Sequence, residues 1–347
     1  MRPMILNHLA TIAIVGTVAC SSEPVPPDAD PVDRFAHGAL LTQLGGGGYI
    51  DSIFLSHDSN RLYFLYSTWN TSDFLGGRVP QECPHGPTFA DMRIVAGLEY
   101  ATDLFFVEWD GKRWSPPQSV GSNVNSAGLE CCVWLNDDET EMIFGSTSGD
   151  RNGNYMSTRA DKGAPGGVAQ VMAGRYGPDG RETVPGPNGT SIYVEVTDLH
   201  RTPSRDLYGW ETDRAGMERL VYGRWNGSSN DAPVVIPGSE HHDTQVWVSD
   251  DELVMLYNHR TQGIDTTLRT MTRPSRTAAW SAPSTLPTPG FADPNGLEIW
   301  GEPTLTADGT SMLFVRFNTR DSNCWRSEIV RARGTPGAGY ADPEVLN

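Results

Sequence analysis

Helical spacing of apolar residues is missing from this chain of 347 residues once the first twenty are passed, and its absence turns the reading away from helical architectures. Positive charge is scarce. Lys+Arg number 26 against 43 Asp+Glu, a formal net charge of -17, with the acids spread along the chain. Such a surface repels phosphate backbones, which excludes a nucleic-acid partner. It suits solubility, a cation or a basic partner. The common catalytic signatures are absent as well: no H-E-x-x-H, no G-x-S-x-G, and no glycine loop that opens a helix. Glycines 45–48 precede a strand-like segment, the wrong context for phosphate. Long apolar runs are also lacking. The best, residues 4–18, is short for a membrane span and is broken by Asn7 and His8.

What is abundant is turn chemistry, with Gly 37 and Pro 25, set among aromatic and β-branched residues. That mixture is the mark of an all-β chain. One phrase recurs five times, at residues 54–64, 134–144, 184–194, 247–256 and 304–314. Each copy reads apolar strand, tight polar turn, apolar strand. The turns carry Asp58-Ser59, Asp138-Glu139, Asn188-Gly189, Asp251-Glu252 and Asp308-Gly309, residues that accept left-handed backbone or bond their own main chain. Two further strands follow several copies, as in residues 102–110 and then Trp114-Ser115-Pro116-Pro117, or residues 220–226, and Trp280-Ser281-Ala282-Pro283 repeats the second turn. Four-stranded antiparallel units repeated radially predict a β-propeller of five blades. A sixth blade would have to lie within residues 67–99 or near 206–210, which read as insertions. Residues 39–44 are expected to add an edge strand that helps close the disc.

The phrase with its Asp-Gly-like turn, followed by Trp-Ser-x-Pro, resembles the TolB-like propeller repeat of bacterial envelope proteins over about residues 49–347. The N-terminus fits that address. Met1-Arg2, the apolar stretch and Thr17-Val18-Ala19-Cys20 resemble a bacterial lipoprotein signal, which implies lipidation of Cys20 and sorting to the outer membrane. The competing reading is an ordinary secretory signal. The expected division is signal peptide 1–19, Pro/Asp-rich tether 20–35 and propeller 36–347.

An acid precedes each expected first strand: Asp51, Glu130, Glu182, Asp243 and Glu302, with Glu298 nearby. Together they are expected to ring one mouth of the channel. They would bind a ligand or a divalent cation such as calcium, or else each would accept hydrogen bonds from backbone or from the next blade. Glycoside cleavage needs two carboxyls, for which Asp51, Glu182 and Glu302 are candidates. His241 and His242 beside Asp243 are candidate metal ligands. Trp69 and Trp300 are candidates for stacking on a sugar, whereas Trp134 and Trp247 lie inside the phrase and read as core. Past Cys20 stand Cys83, Cys131, Cys132 and Cys324. Cys83 is expected to bond blade 2 or blade 5. Cys131 and Cys132, neighbours in a strand, should point to opposite faces and find different partners or leave one thiol free. The functional expectation is a monomeric, lipid-anchored binding module for an envelope protein, peptide or glycan. The alternative is a glycan hydrolase or lyase.

Overall fold

The computed structural model describes residues 33–35, 47–71, 83–90, 92, 102–147, 153–173, 176–177, 182–185, 191–194, 196–213, 215–262, 265–287, 298–318 and 324–346. Residues 182–185, 191–194, 261–262, 265 and 298–300 are described by backbone alone. Asp33–Asn347 is one unit.

Five four-stranded antiparallel sheets carry the fold. Blade 1 is β1 (Tyr49–Leu55), β2 (Arg61–Ser67), β3 (Asp103–Glu108) and β4 (Gln118–Ser119). Blade 2 is β5 (Glu130–Leu135), β6 (Glu141–Ser146), β7 (Gly153–Thr158) and β8 (Gln170–Val171). A separate hairpin follows, β9 (Glu182–Pro185) with β10 (Ser191–Val194). Blade 3 is β11 (Val196–Arg201), β12 (Leu207–Thr212), β13 (Glu218–Gly223) and β14 (Val234–Val235). Blade 4 is β15 (Asp243–Val248), β16 (Val254–Gln262), β17 (Asp265–Thr272) and β18 (Ser284–Thr285). Blade 5 is β19 (Glu298–Leu305), β20 (Ser311–Asn318), β21 (Arg326–Thr335) and β22 (Gly339–Val345). The first strands touch in the cyclic order β1, β5, β11, β15, β19 and back to β1. This is a five-bladed β-propeller.

The expected architecture stands, with one copy of the phrase moved. That copy is not a blade strand pair: residues 182–185 and 191–194 pair with each other as β9 and β10, outside the five sheets. The third blade starts at Val196 instead. Glu182 therefore lies in that hairpin and heads no blade. The segment near 206–210 is β12, the second strand of blade 3. The possible edge strand at 39–44 lies outside the described residues.

Second strands are the most deeply packed, because both faces meet neighbouring blades. All seven residues of β2 are buried, so its sequence Arg-Leu-Tyr-Phe-Leu-Tyr-Ser lacks the alternation of a half-exposed strand. Tyr63, Phe64, Tyr66 and Phe105 anchor one large core with Phe144 and Leu313. The outermost strands are two residues long in four blades and largely exposed, which keeps the sheet edges short. Blade 5 holds the segment before blade 1 through Arg331 to Asp33 at 2.7 Å, and joins blade 1 by Ala307 N–H donating to Ser59 Oγ and by the Cys83–Cys324 disulfide. The blade-5 partner is one of the two expected for Cys83.

Each first strand slips register by one residue at the same point: Asp51/Phe54, Cys131/Trp134, Thr197/His200, Thr244/Trp247 and Gly301/Thr304. The residue just inside each slip is left-handed: Ser52, Cys132, Asp198, Gln245 and Glu302, with φ of 51°, 58°, 54°, 53° and 55°. These are β-bulges, which re-aim a side chain and sharpen the bend. Seven positions further on, the hairpin turns repeat left-handed backbone at Ser59, Glu139, Arg205, Glu252 and Gly309.

Candidate functional site on the propeller axis

The five bulges set what lies on the axis. Asp51 of blade 1 acts electrostatically on Asp198 of blade 3. Asp198 in turn acts on Glu302 of blade 5, and Cys132 of blade 2 feels both Asp198 and Glu302. Blades 1 and 3 are not neighbours, nor are blades 3 and 5, so these groups meet across the axis. Asp51, Cys131, Cys132, Asp198, Gln245 and Glu302 each keep some accessible surface. Gln245 donates from Nε2 to Glu302 Oε1 at 2.9 Å, and Asn258 Nδ2 donates to Gln245 Oε1 at 3.0 Å. Tyr49 OH donates to Asp51 Oδ2.

Burial raises all three axial acids. For Glu302 the neighbouring Asp198, Asp51 and Cys131 add to it. Asp198 is pushed up to about 7 by burial and then by Asp51. Asp51 rises through burial, but the Tyr49 hydroxyl, the Ser52 N–H and the Arg260 charge hold it back. All three are thus shifted toward retaining a proton, Asp51 against the pull of its hydrogen bonds and of Arg260.

Two residues beyond four of the five bulges the axis turns aromatic, with Thr304 at the fifth. Phe54, Trp134 and Trp247 surround His200, with ring centroids 6.5, 6.1 and 6.2 Å from the imidazole. His200 is buried, and burial together with the His57 charge lowers its pKa to about 3, so it is a neutral packing element at ordinary pH. Trp134, read from the sequence as core, is buried here, while Trp247 is partly so.

Beyond this layer the hairpin turns form the other mouth. His57 Nδ1 lies 2.9 Å from Asp250 and 3.3 Å from Asp137, and its Nε2 lies 3.2 Å from the Leu135 carbonyl. Among the described residues these are the three that bring metal-ligand atoms within 4.8 Å of one another. A cavity of about 380 Å³ lined by Phe54, His57, Trp247 and Asp250 opens beside them. Burial alone would lower the His57 pKa, but Asp250 and Asp137 raise it above the ordinary value. Burial would raise Asp250, and His57 lowers it. The sign follows. The His57 contribution is full below about pH 6.5 and fades as pH rises past the elevated folded value, while the Asp250 contribution fades as pH falls below the carboxylate range. We expect His57→Gln to cost about 0.5–1 kcal/mol near pH 6, small because Asp250 is half exposed, and progressively less toward pH 9. Melting curves of both proteins across that range check it; a difference that grows with pH contradicts it.

The sequence-predicted residues scatter by role. Asp51 and Glu302 reach the axis. Glu130 and Asp243 sit one step back and are fully buried. Each caps the loop that enters its own blade: Glu130 accepts from Ser126 N–H and Ser146 Oγ, and Asp243 accepts from Glu240 N–H and Ser239 Oγ. Asp243 also bonds His259 Nδ1 at 2.7 Å. His241 is exposed and His242 turns toward Glu218, so the two histidines do not join Asp243 in one coordination sphere. Trp69 is buried against the His85 ring. The side chains of Glu182, Glu298 and Trp300, and all of Cys20, lie outside what is described. Cys131 and Cys132 do not diverge: the left-handed bulge at Cys132 cancels strand alternation, and their Sγ atoms lie 2.7 Å apart. Sequence reasoning missed Asp198, because the third blade was misplaced, and it missed Gln245 and Asn258.

No protein-family model matches this chain, and no curated protein does. Solved structures resemble it distantly. A putative TolB from Agrobacterium tumefaciens is 9% identical over 86% of this chain and 81% of that chain, with a TM-score of 0.44. TolB from Acinetobacter baumannii is 13% identical over 86% of this chain and 57% of that chain, at 0.37. An α-L-arabinofuranosidase from Podospora anserina, solved with cellotriose, is 12% identical over 84% and 92%, at 0.48. Likeness this remote decides nothing about activity; the architecture rests on the sheets themselves.

Proposed function

We propose that the protein is a binding module whose axial polar layer recognises a hydroxyl-rich ligand, a glycan, from the face where the first strands begin. One observation carries this reading: Asp51, Asp198 and Glu302 meet from blades 1, 3 and 5 beside Gln245, and burial shifts all three toward keeping their protons. Such a set offers both donors and acceptors to sugar hydroxyls, and the aromatic layer lies just beyond it. Glycan-array binding followed by calorimetry tests it. Asp198→Asn and Glu302→Gln should each weaken binding about 10-fold or more, the scale of losing a buried hydrogen bond to a charged or polar site. Wild-type protein that binds no glycan, or variants with unchanged affinity, overturn the reading.

The cluster of carboxyls supports a second reading, a glycan hydrolase or lyase: glycoside cleavage uses a pair of them, and of the three only Asp51 has a positive charge, Arg260, pulling against its burial. Reducing-sugar release by the wild type that disappears in Glu302→Gln, with folding intact, would favour it. The address proposed is the bacterial envelope, probed by lipid labelling: Cys20→Ala should lose the label. The Cys83–Cys324 disulfide suits an oxidising compartment, and among the described residues no helix is long and apolar enough to cross a membrane.

A further inference from the structure

Cys131 and Cys132 open β5 beside its bulge. In a regular strand their side chains would project to opposite faces. The left-handed φ of 58° at Cys132 swings its side chain back, and the two Sγ atoms come to 2.7 Å, closer than unbonded sulfurs rest. Across the ladder Cys131 faces Gly145, and a Cβ there would stand 3.0 Å from the Cys131 sulfur. The missing side chain gives that sulfur its room. Cys83 and Cys324 are bonded to each other, so neither competes for these thiols. Both cysteines keep accessible surface, which lets a small reagent reach them.

We infer that Cys131 and Cys132 close into a vicinal disulfide, a redox modification site on the propeller axis that exchanges with low-molecular-weight disulfides. One thiolate attacks a sulfur of the small disulfide, forming a mixed disulfide and releasing one small thiol. The second cysteine sulfur then attacks its neighbour, breaks the mixed disulfide and releases the other small thiol. The two cysteine hydrogens end on the two released thiols, and the two electrons pass to the small disulfide. The Cys132 thiol holds its proton tightly, first through its bond to Cys131, then through burial and the nearby acids. Closure should therefore be slow at neutral pH and faster in base. The inference stands on the bulge and does not need the glycan reading.

The test uses the full chain equilibrated with oxidised or with reduced glutathione, quenched in acid, unfolded with N-ethylmaleimide and mapped by mass spectrometry. After oxidised glutathione the peptide holding both cysteines should be unlabelled, lighter by two hydrogens and joined to no other peptide. After reduced glutathione it should carry two labels. Unfolding before labelling removes any ambiguity from burial. Two labels in the oxidised sample overturn the inference, as does a bond to a peptide containing Cys20, Cys83 or Cys324, or a persistent glutathione adduct. In Cys132→Ser the remaining Cys131 should label or carry glutathione. Should that variant fail to fold, the wild-type map alone decides.

Discussion

Glu139→Ala is expected to remove about 3–5 kcal/mol of stability, the cost of stranding a buried charge by deleting its partner. Glu139 occupies the left-handed turn position of blade 2 with its side chain 2% exposed. It reaches into blade 1, where Oε2 accepts from Tyr63 OH and from Arg61 Nη1 at 3.1 Å. Arg159 Nη2 donates to the same oxygen at 3.0 Å, and Lys162 Nζ lies 3.0 Å from Oε1. Without the carboxylate, the Arg61 guanidinium keeps the Lys162 carbonyl, half-exposed Glu108 and the Phe106 ring 4.9 Å away. The melting midpoint should fall by roughly 5–8 °C. Glu139→Gln keeps an oxygen for Tyr63 and should fall less. Glu252 does the same between blades 4 and 3, bonding Tyr208, Thr202, Arg273 and Arg276, so Glu252→Ala should behave alike. A loss below about 1 kcal/mol at either site would show that blade packing, and not these charges, joins the pairs.

The second large effect has the opposite sign. Asp198 is raised to about 7 when folded, against about 3.9 in an unfolded chain. The folded state therefore holds a proton that the unfolded state has lost, and the contribution of Asp198 to stability falls as pH climbs from about 4 to 7. Three pKa units correspond to at most about 4 kcal/mol; surface facing water on the axis screens part of it. Asp198→Asn should match wild type near pH 4, exceed it in melting temperature by pH 8, and bind ligand less well. Difference curves between the two proteins isolate this group from others that titrate. A variant that is equally or less stable than wild type at pH 8 would show that the acid sits there without strain. Stability given up at one spot on the axis is what a functional acid looks like.

The disc was legible because its turns are. Four of the five hairpins carry an Asp or Asn turn between strands that alternate or run apolar, and they fall where expected. Blade 3 was not legible, for a physical reason. Its first strand, Val-Thr-Asp-Leu-His-Arg, gives its inward positions to Asp198 and His200, so the apolar signal is gone. Its turn, Thr202-Pro203-Ser204-Arg205, puts an arginine where Gly or Asp is usual. Meanwhile Asn188-Gly189 between two apolar runs imitates a blade in the sequence, and the runs on either side pair as β9 and β10. The bulges were equally hidden. They hold Ser, Cys, Asp, Gln and Glu, a hydroxyl, a thiol, an amide and two carboxyls, with no one residue type to mark the position. That is why Asp51 and Glu302 were found, Asp198 was missed, and Glu130 and Asp243 were placed one layer too far inward. The buried glutamates of the turns went unread because a charged residue in a tight turn ordinarily faces water.

The kink in each innermost strand belongs to the backbone and is indifferent to the side chain it displays. The same bend therefore recurs at one depth in every blade while its side chain differs, and four of the five, Cys132, Asp198, Gln245 and Glu302, keep accessible surface. A lineage that keeps the frame can retune its recognition one bend at a time. A protein engineer can use the same frame: a change at Gln245, which keeps accessible surface, should leave the five sheets intact by circular dichroism.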